Sequence, residues 1–131
     1  MSEPRYSVTV KRDLIAQHFL VGGDFGRENK LNSHRYEIEA RYEGPRLAEH
    51  GFLVDIDAVA AMLDEIVERY RDRTLNDLPE FEGLNPSVEH FARILSDRLA
   101  IEADNVDVLD VTVWEDAGAA AGYRRSLGAG A

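Results

Sequence analysis

The sequence predicts an α+β domain in which an antiparallel sheet carries two helices on one face. Period-2 alternation dominates the first and last thirds, and two apolar stripes at helical spacing occupy the middle. No repeat, long linker or low-complexity run divides the chain, and 131 residues suit one domain with a modest core, read as a single unit over 1–131.

Tyr6, Val8 and Val10 alternate with Ser7, Thr9 and Lys11, and the apolar stretch Leu14 to Val21 continues that strand. Gly22-Gly23-Asp24-Phe25-Gly26 breaks it. A second strand sets Tyr36, Ile38, Ala40 and Tyr42 against Glu37, Glu39 and Arg41, ends at Glu43-Gly44-Pro45, and precedes a short third element at Phe52-Leu53-Val54. Asp57 then reads as the N-cap of a helix whose stripe is Val59, Met62, Leu63, Ile66, Val67 and Tyr70. Asn85 reads as the cap of a second, with Pro86 in its first turn and Val88, Phe91, Ala92, Leu95 and Leu99 on one face. Thr74 to Leu84 reads as the loop between them. Leu109, Val111, Val113 and Glu115 share one strand register. Val106 and Val108 fall out of phase, which predicts a bulge near Leu109 or burial on both faces. Tyr123 to Leu127 reads as a last strand or as part of a flexible tail from about 124 to 131.

The formal charge is −10 and no Lys/Arg cluster stands out, which argues against nucleic acid or anionic lipid as a partner. No apolar run approaches a membrane span and no signal-peptide pattern opens the chain, so a cytoplasmic protein without membrane association is expected. The absence of cysteine removes disulfide scaffolds, thiolate metal sites and cysteine nucleophiles.

Glu115 sits on the inward register, where a lone carboxylate is costly unless it is paired or hydrogen-bonded. It reads either as a strand-end residue reaching water or an arginine, or as an anchor for a ligand offering two parallel N–H donors, such as an amidine or a 2-amino-pyrimidinone edge. Pro86-Ser87-Val88-Glu89 opens the second helix with free backbone N–H groups and a hydroxyl, a feature of every helix but one suited to carbonyl oxygens or anions. His18 and His34 lie on adjacent strands, where they either pack or meet to share a metal. His50 and His90 fit no pattern.

These residues, in this order, resemble the 6-pyruvoyltetrahydropterin and 6-carboxytetrahydropterin synthase family over roughly residues 6 to 123. Ile15-Ala16-Gln17-His18 is similar to the family's F-x-A-x-H, Leu31-Asn32-Ser33-His34-Arg35-Tyr36 to L-H-G-H-x-Y, and Gly51-Phe52-Leu53-Val54-Asp55-Ile56 to G-M-V-x-D-F. Leu75-Asn76-Asp77 resembles the end of L-D-H-x-x-L-N-D, Asn85-Pro86-Ser87-Val88-Glu89-His90 resembles N-P-T-x-E-N, and Val111 to Glu115 resembles the closing V-x-V-x-E, with Tyr123 beyond it. The resemblance implies the T-fold, or tunnelling fold. In that fold a four-stranded antiparallel sheet closes into a barrel by oligomerising, usually as a homohexamer built as a dimer of trimers with sites between subunits.

The departures bear on chemistry. The family binds zinc with three histidines; here His18 and His34 remain and Asn32 stands at the middle position, a poor zinc donor. The family cysteine has Glu28 as its nearest equivalent, and the family Asp-His pair aligns with Arg71-Asp72. Arginine cannot exchange protons near neutral pH. By resemblance, Glu115, Ser87, Val88 and Glu89 keep the contacts to the ring, while no metal and no cofactor are expected. The expectation is therefore a homologue that binds a pterin-like or purine-like small molecule but is not expected to act as a synthase. Its catalytic residues are unassigned, the candidates being Asp72, His34, His18 and Glu28, for zinc-independent lyase or isomerase chemistry. The alternatives are a pseudoenzyme with an assembly or regulatory role, and a synthase with a rearranged zinc site in which Glu28 or a water replaces the histidine.

Overall fold

The structure, a computed structural model, describes residues 3–128. Strands β1 (Tyr6–His18) and β2 (Asn32–Gly44) form a long hairpin; helices α1 (Ile56–Tyr70) and α2 (Val88–Leu99) follow; β3 (Val108–Asp116) and β4 (Ala119–Ser126) close the chain. The four strands run antiparallel in the order β1-β2-β3-β4. Both helices cover one face, as the alternation requires: Leu14, Ala16, Tyr36, Ile38, Ala40, Tyr42, Leu109, Val111 and Val113 are buried beneath them. The opposite face is polar, and its cross-strand ion pairs include Lys11–Glu37 at 2.6 Å and Arg124–Asp110 at 2.8 Å. Such a four-stranded α+β unit is the T-fold arrangement, and its open sheet is consistent with a barrel completed by oligomerisation.

Several expectations are corrected. The cap of α1 is Asp55, not Asp57: its extended backbone lets the carboxylate accept from the N–H groups of Asp57 and Ala58 at 3.0 and 3.3 Å. Asp57 instead places its charge in the first turn. The cap of α2 is Ser87, whose hydroxyl accepts from the His90 N–H at 3.1 Å, so Pro86 precedes the helix. Phe52-Leu53-Val54 forms no strand; Leu53 and Val54 plug the core, and the Leu53 carbonyl accepts from the Asn105 amide at 2.9 Å. The Thr74 to Leu84 connection contains two short 3-10 turns, at Leu75–Asp77 and Pro79–Phe81. The register shift in β3 lies between Trp114 and Asp116 rather than near Leu109. Val106 precedes the strand and is buried there, while Val108 sits half-buried on the other face.

The stretch expected as a tail from about 124 starts inside the last strand. Arg124 and Arg125 lie in β4, paired with Asp110 and with Asp97, and Leu127 is buried with its N–H bonded to Asp107. The rest of that expected tail, 129–131, lies outside the described residues.

Candidate functional site

β1 and β2 pair so that Ala16 faces His34 and His18 faces Asn32, which makes the two histidines diagonal neighbours on the helix-covered face. Their rings stack with centroids 4.9 Å apart. Beneath them Tyr36 is buried, with Phe91 of α2 edge-on at 5.2 Å. The Tyr36 hydroxyl lies 2.9 Å from His18 Nδ1, and the Glu28 carboxylate lies 3.2 Å from His18 Nε2. Burial, reinforced by the neighbouring His34, pulls the His18 pKa below its ordinary value, so His18 is neutral at neutral pH. A neutral ring that donates from Nε2 to Glu28 and accepts from Tyr36 at Nδ1 satisfies both contacts. Burial, helped by the charges of Glu115 and Glu28, drives the Tyr36 phenol far above its usual range, keeping it a donor.

Glu28 is delivered by the connection between the strands. The Leu20 N–H donates to the Glu28 carbonyl at 2.8 Å. The Asn29 amide donates to the Leu20 and Gly23 carbonyls at 3.0 Å, folding the 3-10 turn Gly26–Asn29 back onto the end of β1. Asn32 takes no part in the cluster: its amide donates to the Lys30 carbonyl at 2.6 Å.

Glu115 sits at the register shift of β3, unpaired with β4, where a bulge re-aims its side chain. Its carboxylate lies 3.4 Å from His34 Nε2, and its side chain is 27% exposed. Among the described residues His34 is its ionic neighbour, and no arginine reaches it. It opens on a cleft of about 690 Å³ lined by Lys11, Ser33, His34, Arg35, Glu37 and Trp114 among others. His18, Glu28, His34 and Glu115 thus present one ligand atom each within 4.8 Å of one another. His34 Nε2 is buried and makes no hydrogen bond.

Other candidates stand apart from this cluster. Ser87 is committed to capping, Val88 packs against the core, and Glu89 is exposed. Asp72 is exposed at φ 60°, with its N–H donating to the Ile15 carbonyl on the edge of β1, and the neighbouring Arg71 pairs with Glu68 at 3.1 Å. Two asparagines, Asn76 with no structural role read from the sequence and Asn85 expected as a helix cap, tie the helical layer to the site. Asn76 accepts from and donates to the backbone of Phe19, both at 2.9 Å. Asn85 does the same for Val21 at 2.8 and 2.9 Å. Each side chain imitates a ladder partner, so the strand leaving His18 is held against the approach to α2.

A four-stranded antiparallel sheet with two helices on one face, and a carboxylate and histidine cluster at its end, makes this a T-fold domain. The family model for 6-pyruvoyl tetrahydropterin synthase matches residues 7–126, and the chain belongs to that family. The 6-pyruvoyl tetrahydropterin synthase of Caenorhabditis elegans superposes with a TM-score of 0.79 at 17% identity, covering 94% of this chain and 97% of that one. A catalytic-residue mutant of the Plasmodium vivax synthase, glutamate replaced by alanine, gives 0.73 at 13% identity over 95% and 99% of the two chains. An uncharacterized protein of Wolinella succinogenes gives 0.70 at 13% over 92% and 98%. No curated protein matches significantly. No helix among the described residues is long and apolar enough to cross a membrane.

Proposed function

We propose that this chain binds a pterin-like or purine-like heterocycle, with Glu115 accepting two parallel N–H donors of the ring edge. Ser87, Val88 and Glu89 at the start of α2 contact its polar rim, in a site completed between subunits of a homohexamer, a dimer of trimers. The observation that carries the reading is the state of Glu115: a partly enclosed carboxylate at a bulge, beside a cleft, with no arginine in ion-pair contact among the described residues, the Arg35 of the same cleft being paired with Asp13. Its contact with His34 lacks hydrogen-bond geometry on the histidine side, which leaves carboxylate lone pairs for a ligand.

Synthase chemistry through three histidines and a cysteine is not expected, because Asn32 is bonded to backbone and the chain has no thiol. The acid–base candidates within the cluster are His18, His34 and Glu28; Asp72 lies outside it and is exposed. A glutamate is a catalytic residue in the P. vivax synthase, so a carboxylate in this role is compatible with the fold.

Fluorescence titration with neopterin tests the proposal. Saturable binding below the high-micromolar range is expected, weakened about 10–100-fold in Glu115→Gln, the equivalent of ~1.5–3 kcal/mol for a hydrogen bond to a charged group. Absence of saturation, or an unchanged affinity in the variant, refutes it.

A further inference from the structure

We propose that His18, His34 and Glu28 form a three-ligand site for a divalent transition-metal ion, with Glu28 as the third donor and Glu115 facing the open side. Zinc is the metal the family resemblance implies, and the donors present fit it: two imidazoles and one carboxylate are a known zinc set that leaves a position free. Such a nitrogen-rich set disfavours calcium and magnesium, which take oxygen ligands.

Four observations carry the inference. Two atoms each about 2.1 Å from a tetrahedral ion stand about 3.4 Å apart. Here His18 Nε2 and Glu28 are 3.2 Å apart, His34 Nε2 and Glu115 are 3.4 Å apart, and all four donors fit within 4.8 Å. Second, His34 Nε2 is buried without a hydrogen bond, an unfavourable state that a metal bond would relieve. Third, the Tyr36 hydroxyl lies 2.9 Å from His18 Nδ1, and a hydroxyl both donates and accepts; on metal binding the ring would switch tautomer, Nδ1–H donating to Tyr36 and the Nε2 lone pair turning toward the ion. Fourth, Glu28 is held by its own backbone: its carbonyl is bonded to Leu20 and its turn is braced by Asn29. Two neutral imidazoles and one carboxylate leave the bound dication with net positive charge facing Glu115 and the cleft. A bound ion supplies Lewis acidity and acidifies its water.

The inference stands apart from ring binding, and cobalt(II) tests it without an activity assay. Chelator-stripped protein is expected to take up one Co²⁺ per chain, gain visible d–d absorption, and melt at a higher temperature with the metal than without it. Glu28→Gln is expected to weaken uptake at least ~10-fold, the lower end of what loss of even an outer-shell partner costs. Glu37, in the same cleft but outside the cluster, supplies the control: Glu37→Gln should stay within about threefold, and far-UV circular dichroism checks that each variant is folded. Failure of the wild type to bind Co²⁺ stoichiometrically overturns the site. So does an unchanged affinity in folded Glu28→Gln. Co²⁺ uptake without neopterin binding sinks the ring reading alone; neopterin binding without Co²⁺ uptake sinks the metal centre alone.

Discussion

Glu80 offers a quantitative test of what holds the helical layer over the sheet. It lies in the second 3-10 turn between the helices, and its carboxylate accepts from Arg69 at 2.6 Å, from the Tyr70 hydroxyl at 2.7 Å and from Arg98 at 3.3 Å. These donors, Arg69 foremost, hold its pKa at about 2 against an ordinary 4.5. Between those values the unfolded chain binds the proton and the folded chain does not, so stability rises with pH across that window. The contribution is complete above about 4.5 and is lost as pH falls toward 2. The full gap corresponds to roughly 3 kcal/mol, and with both arginines partly in water about 2 kcal/mol is expected. Urea unfolding of wild type and Glu80→Gln, at one fixed chain concentration, should show that difference at pH 7 and its disappearance near pH 2. An equal gap at both pH values, or none at pH 7, refutes an electrostatic role for Glu80.

Leu95 is fully buried under the sheet, and Leu95→Ala should cost ~2–5 kcal/mol by denaturant midpoint at unchanged m-value. A methyl at Gly44 would fall inside the van der Waals envelope of the Asn105 carbonyl oxygen. Gly44→Ala should therefore destabilise by ~1–3 kcal/mol on thermal melting, with backbone shifts at Asn105. Light scattering on the eluted protein should report six chains; a stable 14.7 kDa species contradicts the oligomer. Asn85→Ala should lower stability by ~1 kcal/mol and weaken neopterin more than a surface change of equal stability cost, because it frees the Val21 backbone beside the site.

The sheet was legible because its alternation is long and one-sided: Tyr36 to Tyr42 and Leu109 to Val113 allow a single register once a helix layer must cover them. Helix starts were less so. Asp55 and Asp57, like Asn85 and Ser87, are both competent caps, and the choice is made by where the preceding chain must leave the core. The inward register of Glu115 followed from Leu109 to Val113, but the bulge that aims it did not, since a bulge depends on how the β3–β4 turn closes. The meeting of His18 with His34 followed from strand pairing. The approach of Glu28 did not, because it is set by backbone bonds of a glycine-rich connection whose path has no periodicity to read. Asn76 stood out only as a motif letter and Asn85 as a helix cap; their work as surrogate strand partners needs the third dimension.

The chain that follows α1 lies along part of the outer border of β1: Asp72 bonds to the Ile15 carbonyl and the Gln17 N–H to Arg73. That short clasp fills the ladder positions from Ile15 to Gln17, so among the described residues the stretch of β1 left able to take another strand on this border is the part before Ile15.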